Sequence, residues 1–496
     1  MISKAALDRK LAILAREHEL LTFKVKALEA ENADLKRRMF GPKSEKIDPA
    51  QMQLAVQAEV QDGLLEAAEQ SEAPKQEATR ERRGGGRRPA PENLPIERVV
   101  IDVPEAERVG MEKIREDVTE EIDYRPSQFI RRQIVRPVYA SKAKDSAPVQ
   151  ALASKRVIPG SGVGTGLIAH VLVSRFCDHL PYFRLEQIAA RQGVTLERQK
   201  MCTWMEHAAV LLKTVYDQLR EEVLKSGYVQ ADETPISVLD PDKEGASRKG
   251  WLWAYHAPTA GALVFDFNMS RGQESPKAFF GSDWSGVVQT DGYAVYPALF
   301  AANPKVEHAG CMAHARRMWV RAMEAGDVDA VPVLAEIQKL YQLEAQWKDL
   351  GPQERSAQRE LKSVKHLANL NLLCQKALTQ ALPASATGKA ASYMLERWPV
   401  LELFAKPGKG QLLIDNNPVE RGIRPTALGR KNWLFIGHPD AGWRTAVLYS
   451  VIGSCRLAKI NPYDYIVWAL ERLAAATSSS IGAVTPLAYK AVKEQR

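Results

Sequence analysis

Three acidic residues, far apart in the chain, stand where a fold can bring carboxylates together. Asp232 follows the apolar run Tyr228-Val229-Gln230-Ala231, and Asp291 follows Gly286-Val287-Val288-Gln289-Thr290. Short runs of this kind read as strands, so both aspartates fall at predicted strand ends. Glu420 falls in the first turn of a helix that Asn417 can cap and that Pro418 can open. Two carboxylates at strand ends facing a third at a helix N-terminus can hold paired divalent cations. Mg2+ takes carboxylate oxygens and water, which leaves coordination positions open for a substrate. Each acid also has a plainer reading. The aspartates can be ordinary turn residues, Asp291-Gly292 being a common turn pair. Glu420 can reach back to the Asn417 N–H as a capping-box acid and pair with Arg424 one turn later.

Other residues gather around these three. Glu233, Asp415, Asn416 and Asn417 read as supporting or capping groups. Cys311 and His314 have C-x-x-H spacing at the start of a predicted helix. A zinc site needs two further ligands and none is spaced nearby, so zinc is not expected and the pair reads as shaping the site. A buried cysteine beside a hydrogen-bonded histidine is the competing reading. Arg421, Arg424, Arg430 and Lys431 crowd the segment of Glu420, where they would either hold backbone phosphates or form a solvated basic face.

The elements that must position these groups follow from patterning. At 496 residues the chain is too long for one core. Residues 1–45 carry Leu7, Leu14, Leu21, Leu28 and Leu35 at seven-residue spacing, with Leu11, His18, Val25 and Asn32 between them. That is a short zipper, and a buried Asn32 favours a parallel, in-register dimer. Residues 46–95 form a polar linker ending in a Gly-rich basic tract with Arg82, Arg83, Arg87 and Arg88, suited to lie along phosphates. Residues 96–150 contain alternating runs such as Phe129 to Val135 and predict a small β-rich module. Residues 151–226 are helical, opening on a Gly-rich hinge at Gly160 to Gly166. Leu185 to Arg191, the turn Gln192-Gly193 and Leu196 to His207 suggest a helix-turn-helix with Arg198, Gln199 and Lys200 at the start of its second helix. Residues 227–320 hold five predicted strands and 321–411 are almost wholly helical. Residues 412–476 bring Glu420, a short strand at Trp433 to Ile436 and two helices, and 477–496 read as a loose tail. No apolar run approaches the ~20 residues of a membrane span. Five scattered cysteines give no disulfide framework, which fits a cytoplasmic protein, and a net charge of +8 suggests a polyanionic partner.

With the three acids in view, the order of elements resembles an RNase H-like nucleotidyl-transferase core interrupted by a helical insertion before its last acid. The local strings are more specific. ADETPISVLD, QTDGYAVY, GCMAHARRMW and IDNNPVERGIRPTALGRKNWLFIG resemble the IS66 family of bacterial insertion-sequence transposases. RMFGPKSEK, GGRRPAPENLP and HVLVSRFCDHLPYFRLEQIAARQGV resemble the same family in the same order. The resemblance implies an α/β catalytic core in which Asp232, Asp291 and Glu420 form a DDE triad binding two Mg2+ ions, with Mn2+ as a substitute. It also implies DNA as partner, both the terminal inverted repeats of an element and target DNA, and other element-encoded proteins as accessories. It places the protein in the bacterial cytoplasm, on the nucleoid when bound to DNA. A domesticated form that only binds DNA, and an RNase H-type nuclease, are the rival functions. One departure matters. The family's paired C-x-x-C motifs ahead of the helical region are missing, for no cysteine precedes Cys177.

Overall fold

A computed structural model describes residues 128–136, 138–139, 149–150, 155–243, 246–293, 295–296, 303–476 and 482–495. The leucine zipper and the arginine tract with Arg82, Arg83, Arg87 and Arg88 lie outside these residues. Residues 128–135 belong to one compact unit and 136–496 to another. The run Phe129 to Val135, expected as a strand, carries none, because alternation alone does not supply a partner ladder. Among the described residues of the expected small module the strands are β1 (Val138–Tyr139) and β2 (Val149–Gln150), an antiparallel pair.

Three helices lead into the main sheet: α1 (Thr165–Phe176), α2 (Tyr182–Arg191) and α3 (Arg198–Lys225). The α2-turn-α3 pair matches the expected helical hairpin at its start, but α3 runs on for 28 residues rather than ending at His207. Met201, Met205, Ala208, Leu212, Val215, Leu219 and Val223 recur at three- and four-residue spacing and are buried, so α3 is a core helix along its whole length.

The sheet is mixed. Strands β3 (Tyr228–Leu239), β4 (Ser247–Ala257) and β5 (Ala262–Asn268) form an antiparallel meander. The β4–β5 turn ends on Gly261 at φ +63°, a conformation glycine adopts without strain. On the other side of β3 lie β6 (Gly286–Gln289) and β7 (Val306–Ala309), both parallel to it. The strand order is therefore β5-β4-β3-β6-β7, and a last strand, β8 (Phe435–Ile436), also pairs parallel with β3.

Strand β3 differs from expectation in an informative way. It does not stop at Asp232 but continues through Pro235 to Leu239. Its pairing with β4 runs from Gln230 to Leu239, whereas its partners on the other edge are split: β6 pairs with residues 228–230 and β8 with 237–238. The stretch 231–236 has no strand on that edge, so the missing N–H of Pro235 leaves no ladder bond unmade there.

Beyond β7 the chain builds the helical insertion: α4 (Glu274–Phe280) precedes it, and α5 (Met312–Glu324), α6 (Ala330–Gln346), α7 (Pro352–Gln358), α8 (Val364–Gln380), α9 (Ala386–Glu396) and α10 (Trp398–Leu401) compose it. Its apolar residues share one core with Tyr228, Val287 and Ala309 of the sheet. The chain then returns through α11 (Asn417–Trp433), β8, α12 (Gly442–Ala458) and α13 (Pro462–Ala475). Helix α12 covers the outer edge of β5. Ser450 and Ser454 hydroxyls accept the N–H groups of Phe265 and Leu263 at 2.7 and 3.2 Å, and Ser454 donates to the Leu263 carbonyl at 3.0 Å. The strand edge is thereby closed to other chains. This approach needs Gly442, since a Cβ there would sit 2.0 Å from the Phe267 ring. Gly442→Ala is expected to cost about 1–3 kcal/mol, read as a lower melting midpoint. The expected loose tail is in part ordered: α14 (Pro486–Glu494) packs back, with the Val484 carbonyl accepting the buried Tyr465 hydroxyl at 2.6 Å. Among the described residues no helix is long and apolar enough to cross a membrane.

Candidate active site

Asp232 lies inside β3, at the start of its unpaired stretch. The parallel register sets Gln230 against Gln289, so two residues further on Asp232 faces Asp291, just beyond the end of β6. Each aspartate accepts a nearby backbone N–H: that of Glu233 donates to Asp232 at 2.8 Å and that of Tyr293 donates to Asp291 at 2.9 Å. Glu420, in the first turn of α11, comes close enough to act on the same carboxyl. Burial, then the charges of Glu233, Asp291 and Glu420, push Asp232 well above the usual carboxylate range. Asp232 thus feels the charges of two acids that lie far from it in the sequence.

The cap of α11 is not the expected one. The helix begins at Asn417 with Asn416 as its cap residue, and the Asn417 N–H is taken by Asp415 at 3.1 Å rather than by Glu420. Asp415 also accepts the Asn417 side-chain amide at 2.6 Å and the Tyr341 hydroxyl at 2.9 Å. A capping-box bond between Glu420 and Asn417 is therefore absent, and Glu420 is left to other partners. Its Oε2 accepts from Arg317 at 2.8 Å, its Oε1 lies 3.7 Å from Nδ1 of His314, and the pair expected with Arg424 gives way to Arg317. Arg317 also contacts Nε2 of His314 at 2.9 Å.

Cys311 and His314 gain a third neighbour that spacing did not reveal. With Glu420 they form a set whose ligand atoms all lie within 4.8 Å of one another. The Arg317 guanidinium already holds Glu420 Oε2 and contacts His314 Nε2, so a cation bound by this set would share both residues with it. Burial pushes the Cys311 thiol up to about 12, and its sulfur accepts the Asn416 N–H at 3.2 Å. Both observations fit a helix-start contact that shapes the site.

Glu233 is likewise a structural partner. Its buried carboxylate holds Arg271 at 2.6 and 3.0 Å and the Tyr296 hydroxyl at 3.2 Å. Arg271 stacks on Tyr293 and Trp251, 3.8 and 4.8 Å from their ring centres. Arg271 and Arg317 were not singled out in the sequence, where nothing but their type distinguishes them from other arginines.

Residues 160–444 match the family model described as Transposase IS66 family. The chain belongs to the IS66 transposase family. Residues 27–99 match a second family model, described as Transposase C of IS166 homeodomain. An uncharacterized protein of Sinorhizobium fredii, y4jD, is 31% identical over 493 residues, covering 94% of each chain. A second uncharacterized protein of that organism, y4qI, is 33% identical over 417 residues, covering 80% of this chain and 76% of the relative. No solved structure matches the chain.

The IS66 transposase match spans all three acids and every strand from β3 to β8. The family suggests divalent metal use, and the donor set fits a hard cation: three carboxylates, one of them with a buried oxygen, Glu420 Oε1, that has no hydrogen-bond partner. A cation there would relieve the crowded charge that raises Asp232. Of the basic residues on α11, Arg421, Arg424 and Lys431 are exposed. Arg430 is committed elsewhere: it donates to the Pro235 carbonyl and, at 3.3 Å, to the Thr234 hydroxyl, tying α11 to the open edge of β3. Arg198 and Lys200 are exposed at the start of α3 but ion-paired, with Glu186 at 3.1 Å and Glu197 at 2.7 Å.

Proposed function

We propose that this chain is an insertion-sequence transposase that cuts the ends of its element and joins them to target DNA, with Asp232, Asp291 and Glu420 as its metal-binding triad. The observation that carries the reading is the β3–β6 register that sets Asp232 beside Asp291, with the charge of Glu420 reaching Asp232, inside the family match. An antiparallel meander continued by two parallel strands, with the last acid on a helix after an insertion, supports an RNase H-like core. Two Mg2+ ions, or Mn2+ in their place, would activate the attacking oxygen and support the leaving one. Water attacks the phosphodiester at the element end, and the bond to the 3′ oxygen breaks to leave a 3′-OH and a 5′-phosphate. That hydroxyl attacks a phosphodiester of the target, forming one P–O bond as another breaks. No covalent bond to the protein is needed.

Asp232, Asp291 and Glu420 would hold the cations and so orient the phosphate. The exposed Arg421 and Arg424 lie within one turn of Glu420 on α11, and the exposed Lys431 lies further along the same helix, where they can take neighbouring phosphates. The zipper, the arginine tract and α2–α3 would supply self-association and further DNA contact, with inverted repeats as the specific partner and other element-encoded proteins as accessories.

The test is incubation of the full chain with DNA carrying the element's inverted repeats, a target plasmid and Mg2+. Cleaved ends joined to the plasmid are expected. Cleavage without joining indicates a nuclease, and binding without cleavage in Mg2+ or Mn2+ indicates a DNA-binding relic. Deleting residues 1–40 is expected to lower the solution mass to that of the monomer, and an unchanged mass refutes the zipper.

A further inference from the structure

Below the two aspartates lies a pair of glutamines that the proposed chemistry does not use. Gln230 and Gln289 are fully buried, face each other across β3 and β6, and each precedes its aspartate by two residues. Neither is paired only with its own sheet. Gln289 Nε2 donates to the carbonyls of Gly310 and Leu413 at 2.9 and 2.8 Å, and its Oε1 accepts from the Tyr228 hydroxyl at 2.5 Å and from Gln230 Nε2 at 2.9 Å. Gln230 Nε2 also donates to the Asp415 carbonyl at 2.9 Å. The Leu413 N–H donates to the Tyr228 hydroxyl at 3.1 Å, and the Asn416 side-chain amide donates to the Ala231 carbonyl at 3.2 Å.

These bonds fix the amide orientations, since Gln289 Nε2 faces two carbonyls and can only donate. They also have a direction. Residues 413–416 are not a strand of the sheet, yet side chains of the two aspartate strands hold their backbone at three points. The Asn416 carbonyl then accepts the Glu420 N–H at 3.3 Å, opening the first turn of α11. Buried amides thus tie the segment that delivers Glu420 to both aspartate strands, beside the bonds it makes to α5 from the Met312 N–H to the Ile414 carbonyl at 3.1 Å and from the Asn416 N–H to Cys311.

We propose that Gln230 and Gln289 are positioning residues that set the reach of Glu420 toward Asp232 and Asp291. Where the function needs three carboxylates at one spacing, and the third arrives on the far side of a long insertion, a buried amide latch defines that spacing. Groups that orient metal ligands in this way are worth about 10–100-fold in metal affinity. The proposal rests on the triad reading given above.

The test is Mn2+ titration of the full chain, followed by paramagnetic resonance of the free ion, together with kcat and KM for terminal DNA. Gln289→Met keeps the length and removes every polar contact. It is expected to weaken Mn2+ binding about 10-fold and to lower kcat with KM unchanged. Combined with Glu420→Ala it is expected to add no further loss of Mn2+ affinity, because it acts through that carboxylate. Should Gln289→Met fail to fold, Tyr228→Phe removes only the hydroxyl and is expected to weaken Mn2+ binding several-fold. Mn2+ affinity within about twofold of the parent in the folded variant, or a loss additive with Glu420→Ala, overturns the proposal. Asp232→Ala serves as the reference: unchanged Mn2+ binding there overturns the triad itself, whereas loss there with none in the glutamine variant overturns only the latch.

Discussion

Asp232→Ala, Asp291→Ala and Glu420→Ala are each expected to reduce cleavage at the element end by about 10³-fold or more, roughly 4 kcal/mol of transition-state stabilisation. Binding of terminal DNA is expected to persist, because the acids contribute no favourable charge to a polyanion. Retained Mg2+-dependent joining in all three variants would exclude the assignment. The same site makes a second, opposite demand on stability. Burial and three neighbouring acids raise Asp232 in the folded protein, so its ionised form is disfavoured there relative to the unfolded chain. Without metal that destabilisation appears as pH rises above the unfolded carboxylate value of about 4 and is complete above the raised folded value. Asp232→Asn is therefore expected to melt higher than the parent at neutral pH in chelator, on a scale of about 2–4 °C per kcal/mol, with the difference vanishing in acid. A parent that melts higher than Asp232→Asn in chelator would show that the carboxyl is not under this strain.

Arg359→Met is expected to destabilise the fold by about 3–5 kcal/mol, the usual result of removing one partner of a buried pair. Arg359 has no exposed side-chain surface. It forms a bidentate pair with Glu344 at 2.6 and 2.7 Å and donates to the carbonyls of Phe404, Lys409 and Leu412 at 2.8, 3.2 and 2.8 Å. It sits in a single π turn, Arg359–Ser363, between α7 and α8. Its substitution strands a carboxylate and three carbonyls together. Because those carbonyls belong to the segment that delivers Glu420, joining activity is expected to fall further than the folded fraction does. Thermal melting of Arg359→Met beside Arg359→Met/Glu344→Gln separates the stranded charge from the rest, and equal midpoints would remove the charge argument.

The three candidate acids are legible in the sequence and their surroundings are not, for physical reasons. Asp232 and Asp291 announce themselves because strands of two different segments end or open beside them, and parallel pairing then aligns them. Glu420 was placed on the right helix turn, but its partner was misread. Capping rules consider the nearest residues, whereas Asp415 satisfied the Asn417 N–H first and released Glu420 to Arg317, over a hundred residues away. The end of β3, expected at Asp232, differs for the same kind of reason: the strand runs on through Pro235 because one of its edges is bare there. Gln230 and Gln289 gave no signal, because a buried amide is meaningful only through the carbonyls it meets. Arg430, read as a DNA contact, is drawn off by a carbonyl on β3 that only the tertiary fold supplies.

The split edge of β3 has a consequence for the order of synthesis. That strand meets its second parallel partner only when Phe435 and Ile436 have emerged, and Glu420 follows Asp232 by roughly 190 residues. At about 5–20 residues per second the interval is on the order of 10–40 s. For the first 59 residues of that interval the nascent chain carries Asp232 alone, and for the remaining 129 it carries both aspartates without Glu420. Under the proposed triad, a ribosome-bound or prematurely terminated product that stops before Glu420 would be unable to cut the DNA beside it, and competence would arrive with the last sixth of the chain.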